Sequence, residues 1–267
     1  MGMPYAEVIG DPIAQSKSPL IHKYWLAQLG IEGDYRAKRV TADELPDYFE
    51  TRRHDPDWRG CNITMPLKET AFALLDTNAF TRRIGAVNTA VPYDGIVNGT
   101  NTDWQGINLA LDTFRLDPRR VAIIGAGGAA RAALADMMMQ KVPHVMLVAR
   151  AAEKARALLD LFGLDGEVLP IGSAPEADLL INASPLGMAG YPPLDFDLSR
   201  LQPGATVFDM VYNPLETALL REARARRFKT VDGLSMLIHQ ASMAFTHFFR
   251  ESPEPADTPE LRRLLTS

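Results

Sequence analysis

Cysteine is nearly missing from this chain: Cys61 stands alone among 267 residues. No internal disulfide can form, and a reducing, cytoplasmic location is expected. The histidines, His22, His54, His144, His239 and His247, show no H-E-x-x-H or related ligand spacing, so no metal site is predicted. No apolar run approaches the ~20 residues that a membrane span requires, and residues 1–6 lack the charged and apolar regions of a secretory signal. The expectation is a soluble chain with no membrane partner. Positive charge is not in excess: 28 Lys and Arg face 33 Asp and Glu, a net −5, which argues against nucleic-acid binding. Low-complexity tracts and short repeats are also missing. What is there is an ordinary globular composition, 46% apolar and 23% charged. At ~150 residues per domain, the length allows one large domain or two small ones.

Strand-like and helix-like segments alternate throughout, which predicts an α/β fold with mostly parallel sheets covered on both faces. In the first half, strands are expected over 5–10, 34–40, 60–64 and 86–93, and helical patterns over 43–52 and 68–75. A further helix starts near Ser18, a candidate cap, with Pro19 in its first turn and Gly30 at its end. In the second half, strands are expected over 121–124, 145–149, 178–182, 206–211 and 228–231. A long helix spans 233–249 and a short one 260–265. Boundaries near Asp103 and Gly233 give a discontinuous first domain, 1–103 with 234–267, and a second of 104–233. Met137, Met138 and Met139 read as helix core. Arg221, Arg224, Arg226 and Arg227 beside Glu216 and Glu222 read as a solvated helix face.

The clearest motif is Gly125-Ala126-Gly127-Gly128-Ala129-Ala130, which follows a short apolar strand and opens a helix. Gly125 suits a tight turn, Gly127 leaves room for a pyrophosphate, and Ala130 lets helix and strand approach. The helix N-terminus offers N–H groups and a partial positive charge to phosphates. At the end of the next strand, where an NAD site carries Asp or Glu, the sequence has Arg150, with Lys154 downstream. A cation there binds a 2′-phosphate, so NADP(H) is the expected cofactor. The same two residues are compatible with a solvated helix start.

The first half also holds four polar clusters: Ser16-Lys17-Ser18-Pro19, residues Asn62 to Lys68, Gly85 to Thr89, and Asn101-Thr102-Asp103. In an extended chain, residues two apart face the same way, so Ser16 with Ser18, and Asn62 with Thr64, present paired polar groups. Such a set suits a small, oxygenated, anionic ligand. Together with G-A-G-G-A, N-A-S-P-x-G-M (182–188), D-x-x-Y (209–212) and L-x-x-Q (237–240), these motifs resemble the shikimate dehydrogenase family, in that family's order.

The resemblance implies a mixed or parallel α/β substrate domain and a doubly wound Rossmann domain for NADP. It implies reversible reduction of 3-dehydroshikimate to shikimate with NADPH, in aromatic amino-acid biosynthesis, by a monomer or homodimer. Ser16 and Ser18, with Tyr212, would bind the substrate carboxylate. Asn62, Thr64, Asn88, Asp103 and Gln240 would hold the ring hydroxyls, and Lys68 and Asp103 match the catalytic pair. Gly125, Ala126, Gly127, Gly128, Ala129, Arg150, Lys154, Met210 and Gly233 match the cofactor contacts. A hydride delivered to a ketone carbon builds charge on its oxygen, and Lys68 is a cation and proton donor suited to that oxygen. The family's usual Asn-Arg-Thr is Ala149-Arg150-Ala151 here, which removes two hydrogen-bonding side chains near the 2′-phosphate. A quinate/shikimate dehydrogenase with relaxed NAD(P) use, and a non-catalytic NADP-binding sensor, are the alternatives.

Overall fold

The structure is a computed structural model that describes residues 2–112 and 116–267. The chain divides into two compact units, Met1–Asp103 with Ile238–Ser267, and Trp104–Leu237. The first unit begins with β1 (Tyr5–Gly10), α1 (Ser18–Leu29), β2 (Asp34–Arg39), α2 (Leu45–Arg52) and β3 (Trp58–Ile63). It continues through α3 (Lys68–Phe72), β4 (Asp76–Thr77), α4 (Ala79–Ile84), β5 (Thr89–Tyr93) and β6 (Ile96–Thr100), and the chain leaves it at the start of α5 (Asp103–Asp112). The second unit runs through β7 (Arg120–Ile124), α6 (Gly128–Met139), β8 (His144–Val148), α7 (Ala152–Phe162), β9 (Gly166–Leu169) and β10 (Leu179–Asn182). It ends with β11 (Thr206–Asp209), α8 (Ala218–Ala225) and β12 (Lys229–Val231). Then α9 (Gly233–Phe249) returns the chain to the first unit, which α10 (Pro259–Thr266) closes.

The first unit's sheet has the order β2-β1-β3-β5-β6-β4. β1 pairs in parallel with β2 and β3, but β5 runs antiparallel to both β3 and β6. The sheet is therefore mostly parallel, as expected, with β5 as the one reversed strand. The cause is a tight hairpin: Asp94 and Gly95 both take positive φ, 51° and 75°, as a two-residue turn between antiparallel strands requires. β1 is buried along its whole length because it has two covered faces. Tyr5 and Ile9 pack with Leu45, Tyr48 and Trp58. Ala6 and Val8, on the alternate face, pack with Tyr35, Ala244 and Phe248.

The second unit's sheet is parallel throughout, in the order β12-β11-β10-β7-β8-β9. With β7 and β10 as its two central strands, this matches the doubly wound nucleotide-binding order, whose direction reverses between β7 and β10. Its core joins Ile124, Met146, Val148, Leu180, Val207 and Leu220.

Two local expectations need correction. Ser18 does not cap α1; it is the first helical residue, and its own N–H points to Ser16 Oγ at 3.4 Å. The methionines of α6 do not all pack inward: Met137 is fully buried, whereas Met139, two positions on, is 53% exposed. The arginine run on α8 does lie on the surface, where Arg224 pairs with Glu216 and Arg226 with Glu222.

α6 also buries a carboxyl. Asp136 is fully buried and accepts from Asn108 Nδ2 (3.0 Å) and Gln140 Nε2 (2.8 Å). Burial outweighs these two donors and pushes its pKa from 3.8 up to about 6. An acid whose pKa is raised by folding gives stability that is complete below its unfolded value and is lost as pH rises through the folded one. Chemical denaturation at pH 4 and pH 7 should show the parent losing up to ~3 kcal/mol relative to Asp136→Asn over that interval. A constant difference between the two proteins would refute the account.

Candidate active site

The chemistry-bearing side chains of the first unit follow its strand ends. β3 delivers Asn62 and then Thr64; the helix after it opens with Lys68. β5 is preceded by Asn88, and β6 is followed by Asn101, Thr102 and Asp103. A buried hydrogen-bond network ties these loops together around one amide. Asn88 Oδ1 accepts from the Thr102 N–H (2.7 Å) and the Thr89 hydroxyl (3.1 Å). Asn88 Nδ2 donates to Thr102 Oγ1 (3.0 Å), Asp103 Oδ1 (2.8 Å) and Gln240 Oε1 (3.4 Å). Asn101 braces the same corner: its Oδ1 accepts the Asp103 N–H at 3.0 Å and its Nδ2 donates to the Ala86 carbonyl.

Asp103 opens α5, where the helix dipole favours a negative charge. Its Oδ2 lies 2.5 Å from Lys68 Nζ. The side chains are 18% exposed for Lys68 and 5% for Asp103, so the carboxylate is enclosed while the ammonium keeps an opening to solvent. An ammonium carries three donors, and Asp103 occupies one. Lys68 is fixed at its backbone as well, because its carbonyl accepts the Val87 N–H at 2.9 Å. The pair is a held cation at a polar surface, with a neighbouring carboxylate to orient it.

The serine loop is also anchored. Ser16 is half-buried and Ser18 buried at the start of α1, and Lys17 between them donates from Nζ to the Leu265 carbonyl in the last turn of α10. Thr64 is half-buried, its N–H bound to the Ile9 carbonyl at 2.9 Å. One residue that sequence reasoning missed belongs to this set. Tyr35 on β2 donates from its hydroxyl to Asn62 Oδ1 at 2.6 Å. The sequence signal was the one aromatic in a short, mostly charged strand, Asp34–Arg39.

In the second unit, the glycine loop sits at the reversal of strand order. Gly125 has φ +116°, and an added Cβ would lie 3.0 Å from the Ala183 carbonyl oxygen, so a side chain is excluded twice over. Gly127 differs. Its φ of −99° suits any residue, and an added Cβ would meet no protein atom. It precedes α6 without a side-chain cap, and Ala126, Gly128 and Ala129 around it are half-buried. The loop thus leaves open space in front of a helix N-terminus, which suits a phosphate group. Arg150 is exposed just past β8, and Lys154 is exposed in the first turn of α7. Met210 is half-buried after β11. Gly233 has a packing reason of its own, since a Cβ there would lie 2.3 Å from the Met210 carbonyl oxygen. Tyr212 is half-buried, and burial raises its phenol pKa. Asp209 holds the neighbouring loops by accepting from Asn182 Nδ2, the Val211 N–H and the Thr217 hydroxyl. Among the described residues, no group of three or more His, Cys, Asp or Glu is placed to hold a metal ion. No helix among them is long and apolar enough to cross a membrane.

A mixed α/β unit with a held lysine–carboxylate pair, in one chain with a doubly wound nucleotide-binding unit, defines the class of a nucleotide-dependent oxidoreductase. Comparison with known proteins narrows it. The family profile described as the shikimate dehydrogenase substrate binding domain matches residues 8–90. A relative named shikimate dehydrogenase (NADP(+)) from Sphingopyxis alaskensis is 52% identical over 267 residues, covering 99% of this chain and 97% of that protein. One of the same name from Methylocella silvestris is 43% identical, covering 98% and 95%. The crystal structure of shikimate 5-dehydrogenase from Thermus thermophilus, in complex with NADP(H) and shikimate, superposes with a TM-score of 0.88 at 36% identity, covering 98% of this chain and all of that one. The chain belongs to the shikimate dehydrogenase family.

The two loop glycines should separate in a thermal melt. Gly125→Ala is expected to lower Tm by several degrees, since positive φ and the Ala183 carbonyl both oppose a side chain. Gly127→Ala should leave Tm within about 2 °C of the parent, because nothing in the fold requires glycine there. Equal losses in both would contradict the open space described.

Proposed function

We propose that the chain reduces 3-dehydroshikimate to shikimate with NADPH, reversibly, as a step of aromatic amino-acid biosynthesis. The observation that carries this reading is the Lys68–Asp103 pair, 2.5 Å apart and built into the Asn88 network. NADPH, when bound, supplies the hydride that the ketone carbon receives. Lys68 is the group that meets the ketone oxygen. Its ammonium stabilises the charge that develops there and provides a proton. Asp103 orients Lys68 and keeps a counter-charge next to it. In the oxidative direction, the same pair takes the proton from the substrate hydroxyl.

Ser16, Ser18 and Tyr212 are assigned to the substrate carboxylate, and Asn62, Thr64, Asn88, Asp103 and Gln240 to the ring hydroxyls. The hydrogen bonds already present limit how two of these act. Asn62 donates to the Asn88 carbonyl and to Thr89 Oγ1, so toward the ring it retains only an acceptor lone pair. Asn88 is engaged at both ends. A ring hydroxyl reaches its Nδ2 by replacing Gln240, the longest of those bonds at 3.4 Å. Substrate binding is assigned chiefly to residues 1–103 with 234–267, and nucleotide binding to 104–233.

The nucleotide groups are assigned by the same chemistry. The pyrophosphate goes to the open loop Gly125–Ala129 before α6. The 2′-phosphate goes to Arg150 with Lys154, and Met210 and Gly233 are assigned as further cofactor contacts. A monomer or a homodimer is the expected assembly. A biosynthetic reductase whose one thiol, Cys61, is buried and unpaired fits a reducing cytoplasm.

Lys68→Ala and Asp103→Ala should each lower kcat for shikimate oxidation by at least ~100-fold while Tm stays within a few degrees. Near-parental turnover in both would overturn the assignment. Arg150→Ala is expected to raise KM for NADPH about ten-fold and leave KM for NADH unchanged, since a charge-assisted hydrogen bond to the 2′-phosphate is lost. Equal changes for both cofactors would remove Arg150 from the phosphate site.

A further inference from the structure

Asn62 holds one end of the Asn88 network, and the control of its orientation lies outside the loops. Asn62 Nδ2 faces the Asn88 carbonyl (3.3 Å) and Thr89 Oγ1 (3.1 Å). A carbonyl only accepts, so this end of the amide must be the NH2 group. Its Oδ1 must then face Tyr35, and Tyr35 must donate. The phenol is equipped for that one task. Tyr35 is fully buried, and desolvation holds its pKa well above 10, so the proton stays on it. Its ring is clamped. His22 stacks on it with centroids 3.9 Å apart and planes 7° from parallel, and Phe248 packs 6.3 Å away. His22 is itself fully buried, and desolvation brings its pKa down to about 3, so the ring beside the phenol is neutral. No charge is spent, and no proton need move.

Resting on the dehydrogenase reading above, the geometry points to Tyr35 as a positioning residue for substrate binding: its hydroxyl locks the Asn62 amide in the single orientation that the Asn88 network accepts. Tyr35 touches neither the ketone nor the nucleotide. It acts through Asn62. Loss of its hydroxyl leaves the buried Asn62 Oδ1 without its donor, and the amide is then held at its Nδ2 end alone. The affinity for the polyol ring falls, while the hydride-transfer step on bound substrate and the hold on the nucleotide stay as they were.

A double-mutant cycle tests this with purified full-length protein, shikimate and NADP+. Tyr35→Phe should raise KM for shikimate about ten-fold, change kcat by less than about three-fold, and leave KM for NADP+ and Tm near the parent. In an Asn62→Leu background, the same substitution should change the shikimate KM by less than about two-fold, because the bond it removes is already gone. His22→Phe keeps a flat neutral ring on the phenol and keeps the hydroxyl; its shikimate KM should stay within about two-fold of the parent. An unchanged KM in Tyr35→Phe overturns the inference. So does an equal ten-fold loss in both backgrounds, or a loss in His22→Phe that matches Tyr35→Phe. If Tyr35→Phe alone does not fold, Tyr35→Phe/Asn62→Leu, which leaves no orphaned carbonyl, is compared with Asn62→Leu. Equal shikimate KM values support the inference, and a further ten-fold loss overturns it. Oxidation of shikimate by the parent protein tests the functional reading separately from the cycle.

Discussion

The amide of Asn88 sits where residues from β5, from the end of β6 and from α9 meet, and its two N–H groups and its oxygen are shared among four of them. Its oxygen takes the Thr102 N–H and the Thr89 hydroxyl; its nitrogen reaches Thr102, Asp103 and Gln240. These groups are buried, so none can fall back on water, and an unmet partner would cost about 1–3 kcal/mol. That penalty keeps the corner in one arrangement. The position of Asp103, and through it of Lys68, follows from satisfying polar groups rather than from apolar packing. Tyr35 at the far end and Lys68 at the near end are joined by an unbroken run of hydrogen bonds, so the rigid interior of the sheet and the partly exposed ammonium belong to one structure.

The second unit solves a different problem with less side-chain chemistry. Its parallel sheet reverses order between β7 and β10, and two loops part there. Gly125 is required by the fold, and Gly127 by nothing in the fold. A glycine that the protein's own packing does not need marks space kept for something else. Asn182 and Asp209 pin the adjoining loops, with Asp209 accepting three hydrogen bonds in a buried site where desolvation still raises its pKa. Part of the N-A-S-P and D-x-x-Y signatures is therefore architectural: these residues keep loops in place.

Much of this is legible in the sequence where one strong periodicity or motif rules. α9 runs from Gly233 to Phe249 as its apolar pattern indicates, β1 spans Tyr5 to Gly10, and the glycine loop joins β7 to α6. Legibility fails where a different force decides. Of the β5–β6 hairpin only the first strand is expected, over 86–93; β6, with two apolar residues followed by Asn, Gly and Thr, carries too little pattern to be read. β4, of two residues, and β9, of four, are too short to show a period. Ser18 looks like a helix cap, but Lys17 already precedes the helix and the serine is drawn into its first turn. In the site, the polar clusters are visible as clusters, whereas their wiring is not. Nothing local in Asp34–Arg39 announces that Tyr35 will find Asn62, since strand pairing between β2, β1 and β3 brings them together.

The first unit is also interrupted. Its closing segment, 238–267, follows the whole of the second unit in the chain. Ala244 and Phe248 from that segment cover the face of β1 that carries Ala6 and Val8, and Leu265 receives Lys17 of the serine loop. On a ribosome adding about 5–20 residues per second, the roughly 130 residues in between take on the order of ten seconds to appear. For that interval the earlier-made sheet waits with a greasy side uncovered, whereas the later-made half has all of its strands before the closing segment appears. Completion therefore runs opposite to translation, and the nascent protein is most exposed to chaperones, and to sticking to its neighbours, through the half that emerged first.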